Sequence, residues 1–590
     1  MSRPNPLGLN DEQLQALQAH IRLVEAGPGS GKTRTVVARL RQNIERGMTI
    51  AMLSFTNAAV DVARLRCRDV PQLTEPPNFV GTFDLFFRRY VITPAVTSVT
   101  GRPPTYVSSW DDLRPSMAVV RPPGGGSGIR LTRFTQQGDE WLIDESKLAR
   151  AERQLWENLS EWSRQSMNDQ GAQRIQGLQK AHVYDTGAAR RHALSLLDNS
   201  LTSPLPDLAR RFNEIIIDEF QDCDEIEHQL IAQLSTAGID IVAVGDPDQA
   251  IYEFRQTNPE LYQRFRDSTA PESRATLGTC FRSTPAICSV IKSLRSVGLG
   301  EIEPSPLHPG GAETIHIVVG SGIKAGARAY KLANQRGISP LRTRVIAHRR
   351  SDARSLLRAG NQPPRGTSQI EPLLVALADL RSGAQSSHRL QAIRKVEAFV
   401  LNQFAWPDEP PAEGRVEQLS LLDVTAQELR VVASSILQSS RTWDDAASCK
   451  AEVRRIIEQF AGETSIELIP RLASRLTVPE KVWRFWESRT TSALSELPAD
   501  TLRWAHVHGV KGDEFEAIIF VLPTGSPAQG RSHVLDDWQN GINSEQRRVL
   551  YVGVSRAERL LVLVVSPSRR NQLESILQTS AIDYTVSVVR

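Results

Sequence analysis

Glu25-Ala26-Gly27-Pro28-Gly29-Ser30-Gly31-Lys32-Thr33 is the stretch on which the reading of this chain turns. Arg22-Leu23-Val24 leads into it, and Thr35-Val36-Val37-Ala38-Arg39-Leu40 follows with the pattern of a helix. A strand, a glycine-rich turn and a helix in that order make a P-loop, whose backbone N–H groups wrap a polyphosphate at the helix N-terminus. Lys32 is then the cation for the β- and γ-phosphates, and the Thr33 hydroxyl sits on Mg²⁺. Ala26 stands where the pattern usually begins with glycine, a small residue that costs the turn little. The motif specifies a nucleotide and no more, because kinases, transporters and motors share it.

Composition narrows the class. A chain of 590 residues exceeds one hydrophobic core and predicts about three to five domains. With 40% hydrophobic and 23% charged residues it is globular. The net charge of +3, from 70 Lys and Arg against 67 Asp and Glu, implies no nucleic-acid partner by itself, while leaving room for a local basic groove. Cys67, Cys223, Cys280, Cys288 and Cys449 are scattered without a C-x-x-C pair, which argues against a zinc site or a disulfide framework. No apolar leader and no run of 18 apolar residues is present, so the expectation is a cytoplasmic protein with no membrane partner.

Short apolar runs that end in polar motifs predict parallel α/β sheets, which present functional loops at strand C-termini. Thr49–Leu53 leads into Ser54-Phe55-Thr56-Asn57, Glu214–Ile217 into Asp218-Glu219, and Asp240–Val244 into Gly245-Asp246. Ala517–Val521 and Leu560–Val565 repeat the pattern near the other end. Two stretches break the rhythm. Residues 88–200 carry the breaker Arg121-Pro122-Pro123-Gly124-Gly125-Gly126-Ser127-Gly128 and then a polar helical segment. Residues 360–500 carry two Pro-rich breaks, at 362–364 and 406–411, and otherwise read as helical. Both look like insertions into two α/β cores.

A carboxylate that ends a strand beside a P-loop is placed to hold Mg²⁺, the role of Asp218. Glu219, next to it but aimed differently, suits polarisation of an attacking water. Further along, Gly245-Asp246-Pro247 presents Gln249, an uncharged donor able to sense a γ-phosphate. Tyr252 and Phe254 follow it as rings able to meet bases.

Taken together, these motifs resemble those of the superfamily 1 DNA helicases of the UvrD/Rep/PcrA group, in order and over nearly the whole chain. Leu9-Asn10-Asp11-Glu12-Gln13 is similar to the adenine-reading glutamine motif, which implies a base contact for Gln13. Ser54 to Ala59 and Gly81-Thr82-Phe83-Asp84 resemble two motifs that touch single-stranded DNA. Gly278-Thr279-Cys280-Phe281-Arg282-Ser283 resembles the motif whose aromatic stacks on adenine and whose arginine reaches the γ-phosphate. His508-Gly509-Val510-Lys511-Gly512-Asp513-Glu514-Phe515 resembles His-x-x-Lys-Gly-x-Glu-Phe, and Glu545 to Ala557 resembles the last motif, whose final arginine, Arg556, is a second finger.

The resemblance implies an α/β fold of two tandem RecA-like P-loop motor domains, each with a mostly helical insertion. The first would comprise residues 1–87 and 201–274, interrupted by 88–200. The second would comprise 275–359 and 501–590, interrupted by a reduced insertion at 360–500. It implies Lys32, Glu219, Gln249, Arg282 and Arg556 as catalytic residues. Nucleotide contacts would come from Gln13, Ala26, Gly27, Pro28, Gly29, Ser30, Gly31, Lys32, Thr33, Arg34, Phe281 and Glu514. Thr33 and Asp218 would hold the metal. DNA contacts would come from Phe55, Thr56, Asn57, Thr82, Phe83, Tyr252, Phe254 and His508.

The implied function is an ATP-dependent DNA translocase or helicase that uses ATP and Mg²⁺ and moves 3′ to 5′ on single strands and at strand–duplex junctions. The alternative is a DNA-dependent ATPase that governs a separate nuclease subunit. In size and architecture the chain is similar to helicase subunits of antiphage defence modules such as Gabija. Some positions depart from the family pattern: Phe254 replaces Trp, Cys280-Phe281 replaces Asn-Tyr, Asp84 replaces His and His506 replaces Thr. Asp84, a carboxylate that repels phosphate, and His506 are not expected to contact DNA. No nuclease is expected after Arg556, because Asp583-Tyr584 lacks the lysine and upstream carboxylates of a metal site.

Overall fold

The computed structural model describes residues 8–55, 57–68, 70–107, 109–110, 113, 115–125, 127–137, 140–199, 203–251, 259–306, 314–356, 370–381, 386–405, 422, 424–490, 502–524 and 532–589. The chain divides into two compact units. One combines Met1–Phe83, Leu205–Pro363 and Glu487–Arg590; the other combines Asp84–Pro204 and Pro364–Trp486.

The first unit is built on two six-stranded sheets. The first sheet contains β1 (Leu23–Ala26), β2 (Ile50–Ser54), β3 (Phe79–Thr82), β4 (Glu214–Asp218), β5 (Asp240–Gly245) and β6 (Arg274–Leu277), in the order β6-β1-β5-β4-β2-β3. Every pairing in it is parallel, with Leu23 opposite both Ala243 and Arg274, and Glu214 opposite both Asp240 and Ile50. All six strands therefore end on the same edge, which carries the P-loop, Ser54-Phe55, Thr82, Asp218 and Gly245. The inner strands β1, β2 and β4 are buried at every position, as expected of a sheet covered on both faces.

The second sheet contains β7 (Ile315–Val319), β8 (Thr343–Ala347), β9 (Arg503–His506), β10 (Phe515–Val521), β11 (Ala557–Val565) and β12 (Tyr584–Val588), in the order β9-β8-β10-β11-β7-β12. It too is parallel throughout. The predicted apolar runs thus fall on β2, β4, β5, β10 and β11.

Helix α1 (Lys32–Glu45) is fastened to the base of β4 by a buried bidentate pair. Arg39 Nε donates to Glu214 Oε1 at 3.0 Å and Nη2 donates to Oε2 at 2.7 Å. The remaining Arg39 N–H groups donate to the carbonyls of Ala16, Gln18 and Ile21. A guanidinium this fully hydrogen-bonded sets where Lys32 stands relative to the strand that ends in Asp218.

In the second unit the stretch 88–200 forms helices Arg150–Glu157, Glu161–Lys180 and Thr186–Asp198, and also carries strands the helical reading did not anticipate. Phe134–Gln137 pairs antiparallel with Glu140–Ile143, Val119–Val120 pairs with Ile129–Arg130, and Thr105–Tyr106 lies parallel to Val183–Tyr184. The cause is alternation: along Glu140–Ile143 the side chains of Trp141 and Ile143 are buried and those between them less so. The segment within 370–486 is helical around one core that includes Leu373, Val396, Phe404, Ile457 and Trp486. No helix among the described residues is long and apolar enough to cross a membrane.

Candidate nucleotide site

The P-loop turns on two left-handed glycines, Gly29 at φ +72° and Gly31 at φ +80°. A side chain at Gly31 would have its Cβ 2.7 Å from Gln13 Nε2, and one at Gly29 would lie 2.7 Å from Arg282 Cβ. Both positions therefore need glycine for conformation and for space. Gly27 N donates to Leu277 O at 2.9 Å, and Ser30 Oγ donates to Gly27 O at 2.7 Å, so the loop is tied to β6 and to itself. Ala26, Pro28 and Thr33 complete the turn and the first turn of α1, and Arg34 donates to Gly8 O at 3.2 Å.

Gln13 sits in a short helix, Asp11–Gln15, that is capped reciprocally. Gln13 N donates to Asn10 Oδ1 at 3.0 Å, and Asn10 N donates to Gln13 Oε1 at 3.2 Å. Gln13 Nε2 donates to Ser30 O at 3.0 Å, which places the amide beside the P-loop. Its oxygen retains a lone pair and its nitrogen a second hydrogen, the set that complements the N6 donor and N7 acceptor of adenine.

At the end of β4, Asp218 is buried and accepts from the Glu219 backbone N at 3.0 Å. Glu219 has φ +56°, a left-handed conformation that costs a non-glycine residue on the order of 1–3 kcal/mol and recurs at functional sites. Its carboxylate lies 3.4 Å from Lys32 Nζ and accepts from Gln221 Nε2 at 2.6 Å. Burial raises the Asp218 carboxyl well above the usual range, and the negative charge of Glu219 adds to this. Burial opposes ionisation of Glu219 as well, but the charges of Lys32, Lys511 and Arg556 outweigh it and hold Glu219 ionised. The two neighbouring carboxyls are thereby driven in opposite directions, Asp218 toward its neutral form and Glu219 toward its charged one.

The other wall comes from the segment after Thr279–Cys280, a short strand paired with Glu303–Pro304, and from loops of the second sheet. Phe281 N donates to Gly29 O at 2.9 Å, and the Phe281 ring is 37% exposed, enough to offer a face. Arg282 donates to Ser555 O at 2.9 Å and pairs with Glu514. Arg556, 3% exposed, donates to Gln249 Oε1 at 3.2 Å. Burial, with repulsion from Arg282, lowers its guanidinium to about 10, so it stays charged at neutral pH.

Further polar residues join the two sides, and sequence reading assigned them no role. Lys511 Nζ donates to both Asp222 oxygens, at 2.8 and 2.6 Å, and to Gln249 O at 2.8 Å. Burial, aided by Glu219, pushes the Asp222 carboxyl up to about 6 despite Lys511. Asp246, fully buried, accepts from Gln249 Nε2 at 2.9 Å, Tyr551 Oη at 3.0 Å and Arg295 Nη1 at 3.3 Å. A tight Gly-Asp-Pro turn signalled the loop, but nothing local in the sequence signals partners so distant along the chain.

The expected DNA-contacting residues fare differently. Phe55, half-buried at the end of β2, stacks on Phe83 with centroids 5.4 Å apart and planes 22° apart. Phe83 itself is 1% exposed, so it backs Phe55 from the core and has no face to give a base. Thr82 ends β3 and is half-buried, and Asn57 opens the helix Asn57–Arg66. His508 uses Nε2 on Ile251 O at 2.8 Å and stacks on His506 at 4.5 Å. Asp84 is paired with Arg190 at 2.7 Å. Thr56, Tyr252 and Phe254 lie outside the described residues.

The donor types suit ATP with a hard divalent ion: a lysine ammonium, a threonine hydroxyl and a buried carboxylate around a turn of left-handed glycines. No cluster of three or more His, Cys, Asp or Glu placed to hold a metal occurs among the described residues, so such an ion would need phosphate oxygens as partners. Strand, P-loop, strand-end carboxylates and arginines from segments beyond the first sheet define a P-loop NTPase. Residues 9–270 match the UvrD/REP helicase N-terminal domain family.

The chain is 28% identical over 274 residues to the ATP-dependent DNA helicase srs2 of Schizosaccharomyces pombe, covering 42% of this chain and 30% of that protein. It is 25% identical to DNA helicase II of Escherichia coli, over 95% of this chain and 85% of that one. It is 24% identical to the ATP-dependent DNA helicase UvrD2 of Mycobacterium tuberculosis, over 96% and 80%. Over most of its length the chain is thus similar to DNA helicases of the UvrD/Rep group, and its residues 9–270 carry the match to that family's N-terminal domain.

Proposed function

We propose that this protein is an ATP-driven DNA helicase whose two parallel sheets are RecA-like motor domains closing on one ATP. Residues 1–87 with 201–274, and 275–359 with 501–590, would be the two motors, and 88–200 and 360–500 their insertions. The observation that carries the reading is the meeting of Lys32, Glu219, Gln249, Arg282 and Arg556, drawn from both sheets, around one P-loop.

Hydrolysis in this site needs charge neutralised from several directions. Lys32 and the backbone from Ala26 to Thr33 would cradle the phosphates, with Arg34 bracing the turn. Thr33 and Asp218 would hold Mg²⁺, which when bound neutralises the β- and γ-phosphate oxygens. Glu219, kept ionised by the cations around it, would orient the water and take its proton. Gln249 would sense the γ-phosphate while Arg282, braced by Glu514, and Arg556 stabilise the charge that develops there. Gln13 and Phe281 would read and stack the adenine.

Because Arg282 and Arg556 come from beyond the first sheet, closure would make hydrolysis possible and hydrolysis would permit opening, a cycle that can ratchet a strand. Single-stranded DNA would lie along the strand ends at Phe55, Thr56, Asn57 and Thr82, with Tyr252 and Phe254 stacking bases and His508 at the second motor. Movement would run 3′ to 5′, as the family resemblance implies, in the cytoplasm, a setting that the scattered cysteines without a C-x-x-C pair suit.

A strand-displacement assay on a 3′-tailed duplex, set beside a 5′-tailed one, tests this. ATP-dependent displacement of the 3′-tailed substrate is expected. DNA-stimulated hydrolysis with no displacement of either substrate would instead favour the ATPase subunit that governs a nuclease.

A further inference from the structure

The helix Asp11–Gln15 grips two loops at once. Gln13 holds the P-loop through Ser30 O, and the residue before it, Glu12, reaches the other wall. Glu12 Oε2 accepts from the backbone N of Gly278 at 2.9 Å and from that of Thr279 at 3.0 Å. Two successive N–H groups converging on one carboxylate oxygen form a small anion nest, and hydrogen bonds to an ionised acceptor are about twice as strong as neutral ones. Gly278 is required here, since a Cβ on it would lie 2.4 Å from Glu301 O and 3.5 Å from Glu12 Oε1.

The gripped segment leads directly to Cys280-Phe281-Arg282. Its other side is bonded to residues 303–305, through Glu303 N to Gly278 O at 3.1 Å and Ser305 N to Cys280 O at 2.8 Å. Toward the P-loop it is held by Glu12 at residues 278 and 279 and by Gly29 at Phe281. Adjacent residues of one short helix thus touch the base-reading side and the arginine-bearing side of the same site. A shift of the helix on nucleotide binding would carry Phe281 and Arg282 with it.

We infer that Glu12 is a positioning residue that couples base recognition at Gln13 to the placement of Phe281 on the base and Arg282 on the γ-phosphate. This rests on the nucleotide site proposed above. Removing a charge-assisted pair of hydrogen bonds alters the placement of a catalytic group by enough to cost about tenfold or more in rate.

The test is a double-mutant cycle in the full chain. Glu12→Ala should lower DNA-stimulated ATP hydrolysis about tenfold or more in the native background and change it little in an Arg282→Ala background. Glu12→Gln, which keeps an acceptor oxygen, should recover part of the loss. Binding of a non-hydrolysable ATP analogue should weaken on Glu12→Ala, and that weakening should vanish in a Phe281→Ala background. An equal loss from Glu12→Ala with and without Arg282, or an equal weakening with and without Phe281, overturns the coupling and leaves Glu12 a structural brace. Lys32→Ala run alongside separates the two claims: if it hydrolyses ATP normally, the site assignment itself has failed.

Discussion

Arg556 and Gln249 meet through one hydrogen bond, guanidinium Nη2 to amide Oε1 at 3.2 Å, although 307 residues separate them. The other end of the same amide donates to Asp246 Oδ2 at 2.9 Å, so Gln249 is oriented from both sides. An amide held between an arginine of the second sheet and a carboxylate of the first reports whether the two are together. That is the property a γ-phosphate sensor needs if hydrolysis is to await closure.

Loss of either arginine should therefore act mainly on turnover. Arg282→Ala and Arg556→Ala are each expected to lower DNA-stimulated ATP hydrolysis about a hundredfold or more, with much smaller losses of single-strand affinity. Steady-state hydrolysis measured beside fluorescence binding to an oligonucleotide checks this. Native turnover in either variant removes that arginine from the site.

Glu219→Gln should bind ATP and DNA and fail to turn over. The side chain keeps its size and its bond to Gln221 but can no longer take a proton. Binding of nucleotide by calorimetry with single-turnover hydrolysis distinguishes the cases. Failure to bind nucleotide would make Glu219 a structural or metal-holding residue.

The buried ion pair between Arg295 and Asp246, with side chains 4% and 0% exposed, ties the loop after β5 to the segment after helix Pro285–Ser293. Arg295→Ala leaves Asp246 charged, buried and short of a partner, which should cost about 3–5 kcal/mol. Chemical denaturation of the native and variant chains reads this directly. Replacing both members together, Arg295→Met with Asp246→Asn, should cost less than Arg295→Ala alone, since no unpaired charge remains.

His316 gives the stability a pH dependence. It is 8% exposed, its Nε2 facing Arg336 at 2.6 Å and its Nδ1 facing Thr585 at 2.5 Å. Burial, and then the charges of Arg336 and Arg328, lower its imidazole from 6.5 to about 4. Between those values the unfolded chain binds a proton that the folded chain does not, so stability is undiminished above pH 6.5 and falls as the pH drops toward 4. His316→Gln should show a shallower fall over that window in pH-resolved denaturation. Identical slopes would contradict the assignment.

The P-loop and strands β2, β4, β5, β10 and β11 were legible because buried parallel strands are unbroken apolar runs with a polar residue at the end. Strands β6, Arg-Ala-Thr-Leu, and β12, Tyr-Thr-Val-Ser-Val, were not, because sheet edges alternate polar and apolar residues and resemble surface loops. The antiparallel ribbon of Phe134 and Trp141 was hidden in a stretch read as helical for the same reason. In the site, residues within motifs could be named, whereas Glu12 on Gly278, Lys511 on Asp222 and Arg295 on Asp246 join distant segments and leave no periodic trace. Phe83 shows the limit of motif reading: its motif implied a contact with single-stranded DNA, while packing under Phe55 makes this buried ring a support.

Hydrolysis of ATP by the native chain and by Lys32→Ala, each with and without single-stranded DNA, decides whether this P-loop powers a DNA-dependent motor. DNA-stimulated hydrolysis is expected in the native chain, with a fall of about a hundredfold on loss of the P-loop cation. Hydrolysis in Lys32→Ala above about a tenth of the native DNA-stimulated rate, where a major electrostatic contact is worth about a hundredfold, would contradict it.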